Sequence, residues 1–384
     1  MKKMVAFLLA MVCLLSLCAC AEDGKDGSHT ATKKEIAHLD KQYEGRQVYF
    51  GELHDHSNSG GKSDGKRSLT EWAAEMERID MDFAFIVDHC QSSHMYLDAW
   101  NDACFIGGTE LSTTLSDTQA PIKNMHYSMV FTDPEALNRV LSSEIKYSFD
   151  TLTKFCNPAK FSTQELKEVI QKVKDEGGMW IQNHPMCESG NTSYLHSENP
   201  MDNWFADFTG IDVMCGYYGF SVGNLETNES YALWTGMLQN GAKVWATALS
   251  DSHQLPTTNA LTAVYAGEKT PDGIFKHVRE GDFNPGYAGI RMVIGETKMG
   301  SQGSFTGQKV VFSVGEFHAS ILERCSEFQV VLFDDDGEVF RTTIDHTKTN
   351  YFSYKCADTA AFYRVEVQNM NGDIVALGNP IWRG

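Results

Sequence analysis

The chain has 384 residues and a formal net charge of -19. An excess of carboxylates this large argues against a nucleic-acid partner, because binding phosphate backbones depends on Lys and Arg; it is compatible with bound cations. The length left after an N-terminal leader, about 360 residues, suffices for one large domain and a smaller one.

Met1-Lys2-Lys3 is a short basic start, followed by an apolar run from Val5 to Leu17. The run is too short to span a bilayer, which takes about 18 apolar residues or more, and small residues after it mark an export signal. Leu17-Cys18-Ala19-Cys20 resembles the bacterial lipoprotein lipobox. That resemblance implies cleavage before Cys20 and a lipid on its sulfur; the alternative is an ordinary signal peptide cut near Ala19 or Ala21. The expectation is an exported lipoprotein on the extracytoplasmic face of the cell membrane, with residues 1–20 as signal peptide. A flexible tether is expected over 21–45, its first part (21–34) being small, polar and poor in apolar residues.

Seven apolar, β-rich runs follow: QVYFGEL, DFAFIVDH, CFIGGTEL, HYSMVF, GMWIQNH, IDVMCGYY and KVWATALSDSH. Most are near-continuous, as in strands buried on both faces of a parallel sheet. Ser68–Glu71 and Ser162–Glu165 match capping boxes that open helices between the runs. Strands alternating with helices imply an α/β layer or barrel, here a seven-stranded barrel-like sheet. From about residue 300 the texture becomes KVVFSV, FQVVLFD, EVFRTTI, YFSYKC and FYRVEVQ, short runs broken by turn signals at Asp336-Gly337 and Asn371-Gly372. This predicts a small antiparallel β-sandwich over 299–384 after a first domain over 46–298. Of the seven cysteines after Cys20, Cys325 and Cys356 are the candidates for a bridge, and the others read as packing.

Polar residues collect at one end of the apolar runs: His54-Asp55-His56, Asp88-His89, Thr109-Glu110, His126, His184-Pro185 and Ser250-Asp251-Ser252-His253. In parallel α/β folds the C-terminal ends of the strands build the active site. His54 and His56 are two apart, so a strand aims both imidazoles to one side. Mixed imidazole and carboxylate donors suit Zn, Mn or Fe better than Mg or Ca. The set is too large for one ion, so a cluster of two or three divalent ions is expected, with Glu110 as the shared carboxylate.

The motifs LHDHS, SDG at 63–65, VDH at 87–89, GTE at 108–110, His126, NHP at 183–185 and SDSH at 250–253 together resemble the PHP (polymerase and histidinol phosphatase) superfamily. The closing FYRVEV…NPIW is similar to the exported CehA/McbA-type metallohydrolases. The resemblance implies a distorted (β/α)7 barrel with a trinuclear site. Carried over, His54, His56 and Asp251 hold the first ion, Glu110 bridges to a second held by His126 and His184, and Asp64, His89 and His253 hold the third. Asn58–Lys62 lengthen the loop before Asp64 relative to the family, which makes Asp64 the ligand most in question. The implied activity is hydrolysis of a small phosphate mono- or diester through metal-activated hydroxide, with Glu110, His54, His56 and Asp251 at its centre. Two alternatives stay open: a carbamate or carboxylic ester hydrolase on the same cluster, and a non-catalytic surface binding lipoprotein with a structural metal site. His94 and His196 are candidate acids beside the site, Tyr217, Tyr218 and Phe220 candidate pocket aromatics, and loop 188–208 a candidate for specificity.

Overall fold

The computed structural model describes residues 29–117, 122–144, 146–185, 210–215, 229–257 and 260–384. Its first element, helix α1 (Lys33–Gln42), lies inside the stretch expected to be a tether. The cause is local. Thr32 and Glu35 form a capping box, with the Glu35 carboxylate accepting from the Thr32 N–H at 2.8 Å. Leu39 then buries one side of an otherwise charged helix against Tyr43, Tyr265, Val293 and Val311. A single buried stripe is enough to dock it.

The elements that follow are β1 (Gln47–Asp55), α2 (Leu69–Arg78), β2 (Phe83–Ile86), β3 (Phe105–Leu115), β4 (Ile122–Phe131), α3 (Pro134–Ser143), the hairpin β5 (Tyr147–Asp150) and β6 (Phe155–Pro158), α4 (Thr163–Asp175), β7 (Met179–Gln182), β8 (Gly210–Cys215), α5 (Glu229–Gln239), β9 (Trp245–Leu249), β10 (Thr262–Ala266), α6 (Pro271–Arg279) and β11 (Phe283–Pro285). Each of the seven apolar runs contains a strand or part of one, and both expected capping boxes, at Ser68 and Ser162, start helices. The main sheet has the order β11-β10-β1-β2-β3-β4-β7-β8-β9. It curls until its last strand returns beside β1, where Asp55 bridges Ser252 and the His56 N–H donates to the Ser252 carbonyl at 3.0 Å.

Two features depart from the expected parallel sheet. β4 is antiparallel to both its neighbours, β3 and β7. The connection from Leu115 to Ile122 is too short for a crossover, so the chain must turn back. β10 and β11 extend the sheet beyond β1, both antiparallel, and lie outside the seven predicted runs.

The remaining strands are β12 (Ala288–Ile294), β13 (Thr297–Lys298), β14 (Gln302–Gly303), β15 (Lys309–Phe317), β16 (Phe328–Asp334), β17 (Gly337–Ile344), β18 (Asn350–Lys355), β19 (Phe362–Asn369), β20 (Ile374–Leu377) and β21 (Ile381–Arg383). They form two further sheets, β13-β12-β15-β18 and β14-β21-β19-β16-β17, with β20 on β19. The five predicted C-terminal runs are β15 to β19. Aromatic rings meet between the sheets, as Phe312 does Phe340 with centroids 6.3 Å apart. β12 precedes residue 298 yet pairs with β15 along its whole length. Cys325 and Cys356 are both free thiols, contrary to the expected bridge: the Cys325 sulfur accepts from Asn369 Nδ2 at 3.9 Å, and Cys356 is buried after β18. Among the described residues no helix is long and apolar enough to cross a membrane.

Candidate metal centre

The centre is built where β1, β3 and β9 come together. Alternation along β1 aims His54 and His56 to one side, and their Nε2 atoms stand 3.0 Å apart. Asp251, just past β9, brings Oδ1 to 3.0 Å from His56 Nε2 and 3.5 Å from His54 Nε2. Asp55, between the two histidines, faces away: the β1–β2 register slips between Glu52 and Asp55, and Ser250 Oγ lies within hydrogen-bond reach of both of those carboxylates.

Glu110, on β3 and fully buried, occupies the middle. Its Oε2 lies 3.4 Å from His54 Nε2, 3.2 Å from His56 Nε2 and 3.1 Å from His89 Nε2. Its Oε1 lies 3.1 Å from His126 Nδ1 and 3.2 Å from His184 Nε2, and accepts from Asn183 Nδ2 at 2.7 Å. His126 reaches this end of the sheet because β4 runs backwards, which brings its N-terminal half beside the points where β3 and β7 carry Glu110 and Asn183.

Asp64 Oδ2 stands 3.2 Å from His253 Nε2 and 3.7 Å from His89 Nε2. The His56 ring is stacked between those of His89 and His253, at 4.7 and 4.2 Å. The lengthened loop is ordered by its own backbone. The N–H groups of Gly61, Lys62 and Ser63 donate to the Asn58 carbonyl, Asn58 N–H to Arg67, and Lys66 N–H to His253. All nine residues singled out in the sequence therefore gather at one end of the curled sheet. The donor atoms of eight of them form three overlapping groups: His54, His56, Glu110 and Asp251; His89, Glu110 and His126; and His56, Asp64, His89 and His253; the ninth, His184, meets Glu110 Oε1 at 3.2 Å. The sequence-based grouping differs in that His89 stands where His184 was expected beside Glu110 and His126, and in that His56 also joins the Asp64–His89–His253 group.

The donor geometry fits divalent ions. Ligands about 2.0–2.2 Å from an ion come within about 3–3.5 Å of one another, which is the spacing seen around Glu110. Glu110 Oε2 and His126 Nδ1 are buried and meet no hydrogen-bond geometry among the described residues, although other ligand atoms lie 3.1 Å away. Such atoms face a common point rather than each other. Asp251 and His184 hold positive φ angles of 51° and 24°, strain of the kind found where a side chain must be aimed.

Electrostatics point the same way. Burial alone would raise Glu110, but His89, His54 and His126 hold it well below the usual carboxylate range. Asp251 is held low against burial by His54 and His56. Burial would lower His56, yet Asp251 and Glu110 raise it to about 9. His89 is pushed down to about 4, mainly by burial. Anionic oxygens facing raised imidazoles form a pocket that demands positive charge. Around the ligands, Ser128 Oγ lies 3.4 Å from His54 Nδ1, and His253 Nδ1 lies 2.9 Å from the Asp251 carbonyl, contacts that orient the rings.

One expectation is not met. His94 is fully buried behind the site, with Nε2 3.0 Å from the Ile86 carbonyl and Nδ1 3.2 Å from Asp88, so it cannot act as an acid toward a substrate. His196, Tyr217, Tyr218, Phe220 and loop 188–208 lie outside the described residues. Asn183, Asp88 and Ser250 lie inside the motifs but have no role in the sequence reading, although each is next to a candidate ligand in the chain and is placed by the fold to support the site.

No protein-family model matches the chain, and no curated protein does. Among solved structures it is similar to a two-domain Bacteroides vulgatus protein containing a predicted PHP-like metal-dependent phosphoesterase (16% identity, 88% of this chain and 96% of that one, TM-score 0.42). It is also similar to an amidohydrolase from Chromobacterium violaceum (15% identity, 54% and 88%, TM-score 0.35) and to a lesion-specific endonuclease from Pyrococcus furiosus (10% identity, 62% and 56%, TM-score 0.38). The structural neighbours of this chain thus include PHP-like metal-dependent phosphoesterases.

Proposed function

We propose that the chain is a PHP-type metal-dependent hydrolase acting on a small phosphate mono- or diester. The observation that carries the reading is Glu110, a buried carboxylate with three imidazole nitrogens within 3.4 Å of one oxygen and two within 3.2 Å of the other. A carboxylate so surrounded is suited to bridging two ions. His54, His56 and Asp251 would hold the first ion with Glu110, His126 and His184 the second, and Asp64, His89 and His253 the third. Zn, Mn or Fe suits these donors, and such ions supply a water activated near neutral pH and positive charge opposite phosphoryl oxygens.

The protein's own residues set the approach. His54, His56, Glu110 and His184 are almost wholly buried, whereas His126, His89, His253 and Asp64 keep 18, 25, 28 and 49% of their side chains exposed. Substrate therefore meets the cluster from the His89–His253–Asp64 flank. In the same proposal the curled sheet is a distorted (β/α)7 barrel over 46–298, the two C-terminal sheets are a β-sandwich over 299–384, and Cys20 carries a lipid that keeps the protein on the membrane.

The test is metal analysis of the purified protein, with turnover of p-nitrophenyl phosphate and its diester beside a carbamate and a carboxylate ester. Two or three ions per chain and turnover of the phosphate esters are expected. Faster turnover of the carbamate or carboxylate ester would move the substrate class, and a protein that binds no ion would end the reading.

A further inference from the structure

Asp88 adjoins the ligand His89 but faces away from the cluster. It is fully buried, and its carboxylate gathers the chain that follows His56. Oδ1 accepts from the Ser57 N–H at 2.5 Å, Oδ2 accepts from Ser57 Oγ at 2.7 Å, and Ser59 Oγ also donates to Oδ2. His94 closes the group from behind, with Nδ1 3.2 Å from Asp88 Oδ2 and Nε2 3.0 Å from the Ile86 carbonyl. Ser57, Ser59 and His94 are themselves 0, 1 and 0% exposed. A buried charge in this position is costly unless its donors are in place.

A second observation ties this group to Asp64. The loop from Asn58 folds back so tightly that a Cβ on Gly65 would lie 2.3 Å from the Ser57 carbonyl oxygen and 2.7 Å from that of His56. The segment just after Asp64 therefore rests on the residue that Asp88 pins. Ser57 is held from one side by Asp88 and contacted from the other by Gly65, so moving Ser57 moves Asp64. The same carboxylate is one residue from His89. One buried pair thus sets both ends of the Asp64–His89 approach.

We propose that Asp88 and His94 are positioning residues for the ion held by Asp64, His89 and His253: Asp88 pins Ser57 and Ser59, and His94 fixes Asp88. This rests on the metal-centre reading above. Removing a hydrogen-bonded partner behind a ligand shell typically weakens metal binding about 10- to 100-fold, and here the weakening should be confined to one ion.

The experiment compares wild type with Asp88→Asn, His94→Gln and Ser59→Ala, using Asp64→Ala as the calibrating variant. It reads ions retained per chain during titration with a chelator, together with thermal melting of each metal-free protein. Asp88→Asn and His94→Gln should lose the same single ion as Asp64→Ala, or hold it about 10- to 100-fold more weakly, with the other ions unchanged. Ser59→Ala removes one donor and keeps the carboxylate, so it should show a smaller loss at the same ion even where Asp88→Asn fails to fold. Folded variants that keep every ion at wild-type affinity, or that lose all ions together, overturn the positioning role. A wild type that binds no ion overturns the functional reading first and this one with it, so the two failures are distinguishable.

Discussion

Asp64 and His253 are 189 positions apart in the chain, yet Oδ2 of one lies 3.2 Å from Nε2 of the other. The contact depends on a loop tied at both ends, by Asn58 N–H to Arg67 and Lys66 N–H to His253. Asp64 is nonetheless the most exposed of the nine candidate ligands, at 49% of its side chain. Its ion should be the first that a chelator removes. Asp64→Ala should lower occupancy by about one ion and slow hydrolysis while the other ions stay. Metal analysis beside His89→Ala checks it: if His89→Ala loses an ion and Asp64→Ala loses none, Asp64 is no ligand.

Glu110→Gln replaces one anionic oxygen of the central carboxylate by an NH2 group, which cannot ligate and would point its hydrogens at imidazoles. Ions on both sides should bind more weakly, and turnover should fall by on the order of 100-fold or more, beyond what loss of an outer partner produces. Full metal content with unchanged turnover would remove Glu110 from the bridging position.

Gly65→Ala tests the loop sterically. With a Cβ 2.3 Å from the Ser57 carbonyl, the backbone must shift, and Asp64 moves with it. The variant should resemble Asp64→Ala in metal content while retaining the aspartate. A wild-type ion count in Gly65→Ala would show that the loop has room to spare.

His277, on α6, is buried with Nδ1 3.3 Å from Arg46 Nη1. Burial first, then the charge of Arg46, pushes it down to about 4. The unfolded chain takes up this proton near pH 6.5 and the folded one does not. Stability from this group is therefore complete above pH 6.5 and is lost as pH falls from 6.5 toward 4, by up to about 3 kcal/mol at 1.36 kcal/mol per pKa unit. Thermal melts of wild type and His277→Gln across that range should converge at low pH. Parallel curves would show that His277 does not contribute.

The anchoring proposal has its own check. Wild-type protein expressed in a bacterial host should fractionate with membranes, and Cys20→Ser should release it or leave the leader uncleaved. Recovery of all wild-type protein in the soluble exported fraction would rule out the lipid.

The strands and the ligands were legible in the sequence because both depend on short-range order. Near-continuous apolar runs marked all seven strands from β1 to β9 that the curled sheet shares, and i, i+2 spacing put His54 and His56 on one side. Ser68–Glu71 and Ser162–Glu165 marked helix starts for the same reason, since a capping box closes within four residues. Tertiary structure decided what those patterns leave free. Periodicity does not encode strand direction, so the reversal of β4, which carries His126 to Glu110, followed from the short connection after Leu115. Thr32–Glu35 and Leu39 became a docked helix instead of a tether because Tyr265, Val293 and Val311, distant in sequence, supply its apolar partner. Asp88 reads as the neighbour of His89 and His94 as a candidate acid, and only the folded chain shows the pair turned from the candidate ligands toward Ser57 and Ser59, because burial of a charge is satisfied by whichever donors the fold brings to it.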